Sequence, residues 1–176
     1  MIVIHIDSMQ DTARLKRLYE GLDNVTLLYN ESRERIEDEL RHNDDKLVMC
    51  LGHGSIYGLY NLYWTGYVID RNNANLLKDR TVIGIWCFAS DFAEKVGLHG
   101  YFTSMFISNY GEAAACGFYE ADEEDVFNEI DVFCDSIRGF VENGTDMNTW
   151  VAILQENCHK EKGFVRFNYD AMAYFA

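Results

Sequence analysis

Two residues set 34 positions apart carry the side chains best suited to chemistry, His53 and Cys87. Each stands just past a short apolar run. Leu47-Val48-Met49-Cys50-Leu51 leads into Gly52-His53-Gly54-Ser55, and Thr81-Val82-Ile83-Gly84-Ile85-Trp86 leads into Cys87-Phe88-Ala89-Ser90. An imidazole beside a thiol can take its proton, and the thiolate can then attack a carbonyl carbon. Glycines on both sides of His53 would let a substrate backbone approach closely. The Gly54 N–H, with that of Cys87, could then face a developing oxyanion.

Each residue also has a plainer explanation. A Cys that closes an apolar run is commonly core, and a His in a Gly-rich turn is commonly solvated. The joint placement, at the ends of consecutive buried strands, favours chemistry over either plain reading. The remaining cysteines, Cys50, Cys116, Cys134 and Cys158, fall on apolar stripes or element ends and read as structural. His5 lies inside the first strand and reads as a buried, hydrogen-bonded histidine. His42, His99 and His159 lie in polar turns and read as solvated. The run Asp122-Glu123-Glu124-Asp125 reads as the favourable first turn of a helix. Its spacing does not match an EF-hand loop.

The elements that must position the pair follow from periodicity. Met1–Ile6 reads as a strand buried on both faces. It lacks a basic segment before it and a small-residue cleavage site after it, so it is not read as a signal peptide. A helix to about Leu22 follows, with Leu15, Leu18, Tyr19 and Leu22 on one stripe. Val25–Tyr29 reads as a strand, Ser32–Arg41 as a mostly solvated helix, and Lys46–Leu51 as the third strand. Residues 55–69 read as an irregular aromatic loop or small hairpin, and Asp70–Asp79 as a short helix. Thr81–Trp86 is the fourth strand, Asp91–Val96 a helix stopped by Gly97, and Tyr101–Ser108 a fifth strand. Glu112–Cys116 begins an Ala-rich helical turn.

Val126, Phe127, Ile130, Phe133, Cys134, Ile137 and Val141 keep a helical stripe until Asn143-Gly144. Thr145 or Asp146 caps the next helix, with Met147, Trp150, Val151 and Leu154 inward. The tail from Gly163 fits either a strand or a helix. This alternation predicts a single α/β domain over residues 1–176, a mostly parallel sheet with helices on both faces and a helical C-terminal third. Function is then expected at the carboxyl ends of the strands, where Asp7-Ser8, His53 and Cys87 all lie.

Composition narrows the partners. Acidic residues number 29 against 15 basic ones, for a formal charge of −14. Such a chain repels phosphates, so neither nucleic acid nor an anionic membrane is expected as partner, and basic ligands are mildly favoured. No apolar run approaches the length of a membrane span. Five cysteines without a CxxC pair argue against a disulfide framework and against zinc-finger spacing, and imply a reducing, cytoplasmic setting.

An apolar strand running into Leu51-Gly52-His53-Gly54-Ser55, then another running into Ile85-Trp86-Cys87-Phe88-Ala89-Ser90, resembles the caspase-like (clan CD) cysteine peptidases. The resemblance spans about the first two-thirds of the chain. It implies a three-layer caspase-like (flavodoxin-like) fold and peptide-bond hydrolysis by a His53–Cys87 dyad. It also implies an oxyanion hole from the amides of Gly54 and Cys87, and neither a metal nor another cofactor. Members that cleave after Arg or Lys place an acidic residue after the first strand. Asp7 stands there, implying a basic P1 residue, with Ser108 and Asn109 on the opposite wall. The implied partner is a peptide or protein substrate, with a regulatory protein or a homo-oligomer as further options.

The Gln-Ala-Cys signature of true caspases is absent, and the His-to-Cys interval is shorter than the roughly 50 residues of caspases. Two rivals remain. One is an inactive domain of the same fold that binds proteins through the aromatic segment Tyr57–Tyr67. The other is a flavodoxin-like cofactor binder, for which Asp7-Ser8-Met9-Gln10 makes a poor phosphate loop.

Overall fold

The computed structural model describes residues 1–8, 12–158 and 161–176. His159, Met9 and Gln10, considered above, lie outside the described residues. The chain opens on β1 (Ile2–Ile6), a 3₁₀ segment (Ala13–Leu18), β2 (Thr26–Tyr29), α1 (Arg33–His42) and β3 (Leu47–Gly52). Three short strands follow, β4 (Gly54–Ser55), β5 (Gly58–Tyr60) and β6 (Tyr67–Asp70), then a 3₁₀ turn (Ala74–Leu77). Next come β7 (Thr81–Ile85), α2 (Ala89–Val96), β8 (His99–Phe102) and α3 (Tyr110–Ala115). The chain closes with α4 (Glu123–Glu142), α5 (Trp150–Asn157), α6 (Gly163–Asp170) and β9 (Ala173–Phe175).

The main sheet runs β2-β1-β3-β7-β8-β9 and is parallel except for β9, which pairs antiparallel with β8. Both faces are apolar because the strands alternate between two cores. Val3, Met49, Leu51, Ile83, Ile85 and Tyr101 face the core shared with the first 3₁₀ segment and with α4 to α6. Ile2, Ile4, Ile6, Val48, Cys50, Val82 and Phe102 face the core shared with α1, α2 and the small sheet. This is an α/β fold with helices on both faces of a mostly parallel sheet, as the pattern predicts.

The first predicted helix is shorter and tighter than expected. Leu15 N–H bonds to Thr12 O and Tyr19 N–H to Lys16 O, the i→i−3 pattern of a 3₁₀ segment. Leu15 and Leu18 are still buried, so the stripe marked the right face. Residues 55–69, read as an irregular loop or small hairpin, contain the antiparallel hairpin β5-β6, which β4 extends to a three-stranded sheet. Arg33 fastens it to α1. Its guanidinium takes both oxygens of Asp70, at 2.8 and 3.0 Å, and Glu37 at 2.8 Å. Those Arg33 bonds, with Arg41 on the other Glu37 oxygen, hold the Glu37 carboxyl far down, to about 2.

The fifth strand ends at Phe102, six residues before the expected end. Beyond it the backbone finds other partners. Thr103 N–H donates to Gly84 O and Ser104 N–H to Ala171 O. Ile107 N–H donates to Asn168 Oδ1 at 2.7 Å, and Asn168 Nδ2 donates back to Ile107 O at 3.0 Å. Phe106 and Ile107 are therefore buried without belonging to a ladder, and their apolar character was the signal that extended the predicted strand. The tail takes both forms left open for it, α6 and then β9. The long predicted helix is α4, capped at its start by Asp122 Oδ1 on Asp125 N–H at 2.7 Å. Asp146 caps the next turn. Among the described residues no helix is long and apolar enough to cross a membrane.

Candidate active site

Strand register brings the predicted residues into one row. His5 pairs with Leu51, and Leu51 with Ile85. Asp7, His53 and Cys87 each follow that row by two residues, so they emerge together at the carboxyl ends of β1, β3 and β7. Open parallel sheets build ligand sites at this edge. His53, Cys87 and Glu112 line one cavity there, with Thr12, Phe106 and Ser108. Its volume is about 10 Å³, the threshold for a single water molecule.

The backbone around both residues is tightly specified. Gly52 has φ +144, and a Cβ there would lie 2.5 Å from Ile6 O. A Cβ on Gly54 would overlap Trp86 Cδ1 and lie 2.6 Å from Gly58 O. The two glycines are thus required by packing of the turn on β1, β5 and Trp86, whatever the site does. Phe88, directly after Cys87, adopts φ 67 and ψ 28 without being glycine. Left-handed backbone at a side-chain-bearing residue costs about 1 kcal/mol, and such strain clusters at functional turns. The bend is held by Phe88 N–H on Ser104 O and Ser90 N–H on Thr103 O, at 3.1 and 2.9 Å.

The Cys87 thiol is partly buried and donates to Phe106 O across 3.7 Å. Burial, and then the negative charge of Glu112, push its pKa up to about 11. In this arrangement the sulfur is a protonated thiol at neutral pH. His53 is 11% exposed, and its Nδ1 faces Glu112 Oε1 at 3.8 Å. The indole of Trp64 packs against the imidazole at a tilt of 53°, with ring centres 5.0 Å apart, and its Nε1 donates to Ser8 Oγ at 2.6 Å. Tyr60 stacks on Trp64 and on Tyr67, continuing the aromatic layer along the small sheet.

Asp7 is buried and engaged. Its Oδ1 accepts from Thr12 N–H and Thr12 Oγ1, both at 3.1 Å, and its Oδ2 from Tyr29 Oη at 2.9 Å. It does not line the cavity, and Thr12 stands between them. Ser108 does line it, but its N–H and Oγ donate to Glu112 Oε2 at 2.7 and 2.8 Å. Asn109 caps α3, with Oδ1 accepting from Glu112 N–H at 2.9 Å. The structure thus brings together His53, Cys87 and Ser108, and it leaves Asp7 and Asn109 one layer away.

Sequence reasoning missed Glu112 and Trp64. The spacing Asn109-x-x-Glu112 is a helix-start signature that marks Glu112 as an N3 carboxylate. It does not say that the carboxylate faces His53. Trp64 was read only as part of an aromatic segment. Of the residues expected to be structural, His5 is fully buried with both ring nitrogens bonded, and Cys50 and Cys134 are buried. No family model matches the chain, and comparison with curated proteins finds no match.

Proposed function

We propose that the chain is a cysteine endopeptidase of the caspase-like class, with Cys87 as nucleophile and His53 as general acid and base. The observation that carries the reading is the shared cavity of His53 and Cys87 at the ends of adjacent parallel strands. In this reading the thiol turns off Phe106 O and passes its proton to the imidazole. The thiolate forms a bond to the scissile carbonyl carbon, and the amides of Gly54 and Cys87 receive the oxyanion. His53 returns the proton to the leaving amine, and water then releases the acyl group from sulfur. No metal or other cofactor enters these steps.

A basic P1 preference rests on Asp7. Three of the roughly four acceptor positions of its carboxylate are occupied, by Thr12 twice and Tyr29 once. None of the five cysteines is in a disulfide, which suits a cytoplasmic location where a reactive thiol stays reduced.

The second reading is an inactive domain of the same class that binds proteins. It is favoured by the thiol's bond to Phe106 O, by the small cavity, and by exposed Tyr57, Tyr63 and Trp64 on the small sheet. Hydrolysis of fluorogenic peptides with Arg, Lys or Asp at P1 separates the two. The peptidase reading expects turnover that Cys87→Ala abolishes and His53→Ala lowers by about 10²–10⁴-fold. Identical rates for Cys87→Ala and the unaltered protein on every peptide would leave the interaction reading.

A further inference from the structure

Glu112 is a helix-start carboxylate of α3 whose charge the dyad reading by itself does not use. Its two carboxylate oxygens do different things. Oε2 is fixed by Ser108, through N–H at 2.7 Å and Oγ at 2.8 Å. Oε1 faces His53 Nδ1 at 3.8 Å. The backbone beneath is fixed as well, because Asn109 Oδ1 holds Glu112 N–H. A carboxylate side chain oriented this firmly, only 19% exposed and aimed at an imidazole, is built to meet a charge.

Resting on the dyad reading, we propose that Glu112 is the positioning residue of the pair: it orients the His53 ring and balances its positive charge once the ring holds the thiol proton. The step is a proton transfer alone. The S–H bond of Cys87 breaks, an N–H bond forms on the imidazole, and the resulting cation has its Nδ1–H directed at Oε1. The same charge has an opposite effect on the sulfur, because it disfavours a thiolate standing by itself. Glu112 therefore favours the thiolate–imidazolium pair and opposes the lone thiolate. Ser108 and Asn109, expected on a substrate wall, act in this account by fixing Glu112. Among the described residues, Glu112 faces the ring, and Glu112 and, at the end of α3, Cys116 act on the sulfur.

The two opposed effects give a test that a merely structural role cannot reproduce. Glu112→Gln keeps an oxygen for Ser108 and removes the charge. The rate of Cys87 alkylation by iodoacetamide, read by site-resolved mass spectrometry, is followed from neutral to alkaline pH. At neutral pH the variant is expected to react about tenfold more slowly than the unaltered protein, the scale of an opposite charge at this distance. At alkaline pH, where the imidazole is neutral, it is expected to react faster, so the two profiles cross. Glu112→Asp is expected to recover part of the neutral-pH rate.

Profiles that coincide, or that differ by one constant factor at every pH, overturn the proposal. Matching thermal unfolding midpoints show that the variant is folded, and Ser108→Ala, which loosens the same carboxylate, is expected to shift the profile in the same sense. His53→Ala distinguishes the levels. If it lowers neutral-pH alkylation and Glu112→Gln does not, only the role of Glu112 fails. If His53→Ala itself leaves that rate unchanged, the dyad fails.

Discussion

His5 lies within β1 and His53 just past the end of the neighbouring β3, and their surroundings differ in kind. The His5 ring is fully buried, with Nδ1 at 3.0 Å from Tyr19 Oη and Nε2 at 3.2 Å from Thr12 O. A hydroxyl and a carbonyl satisfy a neutral imidazole and give it nothing to do with a proton. Burial pushes its pKa below the ordinary value, against the pull of Asp7. His53 instead faces a carboxylate, packs against an indole and shares a cavity with a thiol. The same residue type is thus a core polar group at one strand and a candidate proton carrier at the next. Both rings are largely enclosed, so burial alone does not assign their roles. The chemistry of the neighbours does.

The most forceful way to break this comparison is to remove each ring in turn. His53→Ala is expected to lower peptide hydrolysis by about 10²–10⁴-fold while leaving the unfolding midpoint nearly in place. His5→Ala is expected to do the converse. It leaves the Tyr19 hydroxyl and the Thr12 carbonyl buried without their partner and opens a cavity, at about 2–4 kcal/mol of stability. Urea unfolding and peptide turnover on both variants check the contrast. Equal losses of both properties in both variants would erase it.

A smaller effect sharpens the His53 side. Asn168 on α6 bonds both backbone groups of Ile107, and the preceding residue supplies the carbonyl that holds the Cys87 thiol. Asn168→Ala leaves two buried backbone groups unpaired and is expected to cost about 2–3 kcal/mol. It also loosens the hold on the thiol, so Cys87 is expected to react faster with iodoacetamide at low denaturant, measurable beside the unfolding curve.

The smallest effect concerns pH. The folded-state pKa of His5 is lowered, so its contribution to stability is complete above the unfolded value of about 6.5. It is lost as pH falls below that, because the unfolded chain binds the proton first. The slope from this one group is at most about 1.4 kcal/mol per pH unit. Unfolding free energies from about pH 7.5 to about pH 5 should fall less steeply for His5→Gln than for the unaltered protein. Among the described residues, the charged and titratable groups beside the ring are Asp7, Tyr19 and Tyr29.

The sequence was most legible where burial is two-sided or helical stripes are long. Runs such as Ile2–Ile6 and Leu47–Leu51 have no polar face, which forces a parallel strand between helix layers. The Val126–Val141 stripe fixed α4 to within a few residues. His53 and Cys87 were legible because each ends such a run. What stayed hidden depends on pairing between distant segments. Phe106 and Ile107 look like strand because they are apolar, but Asn168 of α6 satisfies the Ile107 backbone and the Cys87 thiol meets Phe106 O. The glycines beside His53 suggested room for a substrate, and the structure shows them filled by Ile6, Trp86 and Gly58. Glu112 was visible as a helix-start carboxylate, but its direction depends on Ser108 and on the distant His53 loop.

If Cys87 is a nucleophile served by His53, its reactivity stands out from that of the other thiols of the same molecule. Cys87, Cys116 and Cys158 are all partly exposed, whereas Cys50 and Cys134 are buried. A peptidyl electrophile applied at neutral pH, with the modified residue mapped by mass spectrometry, reads their relative reactivity. Cys87 is expected to be labelled at least about tenfold faster than Cys116 or Cys158, with the advantage lost in His53→Ala. Labelling that follows exposure alone, or a Cys87 rate untouched by His53→Ala, would contradict it.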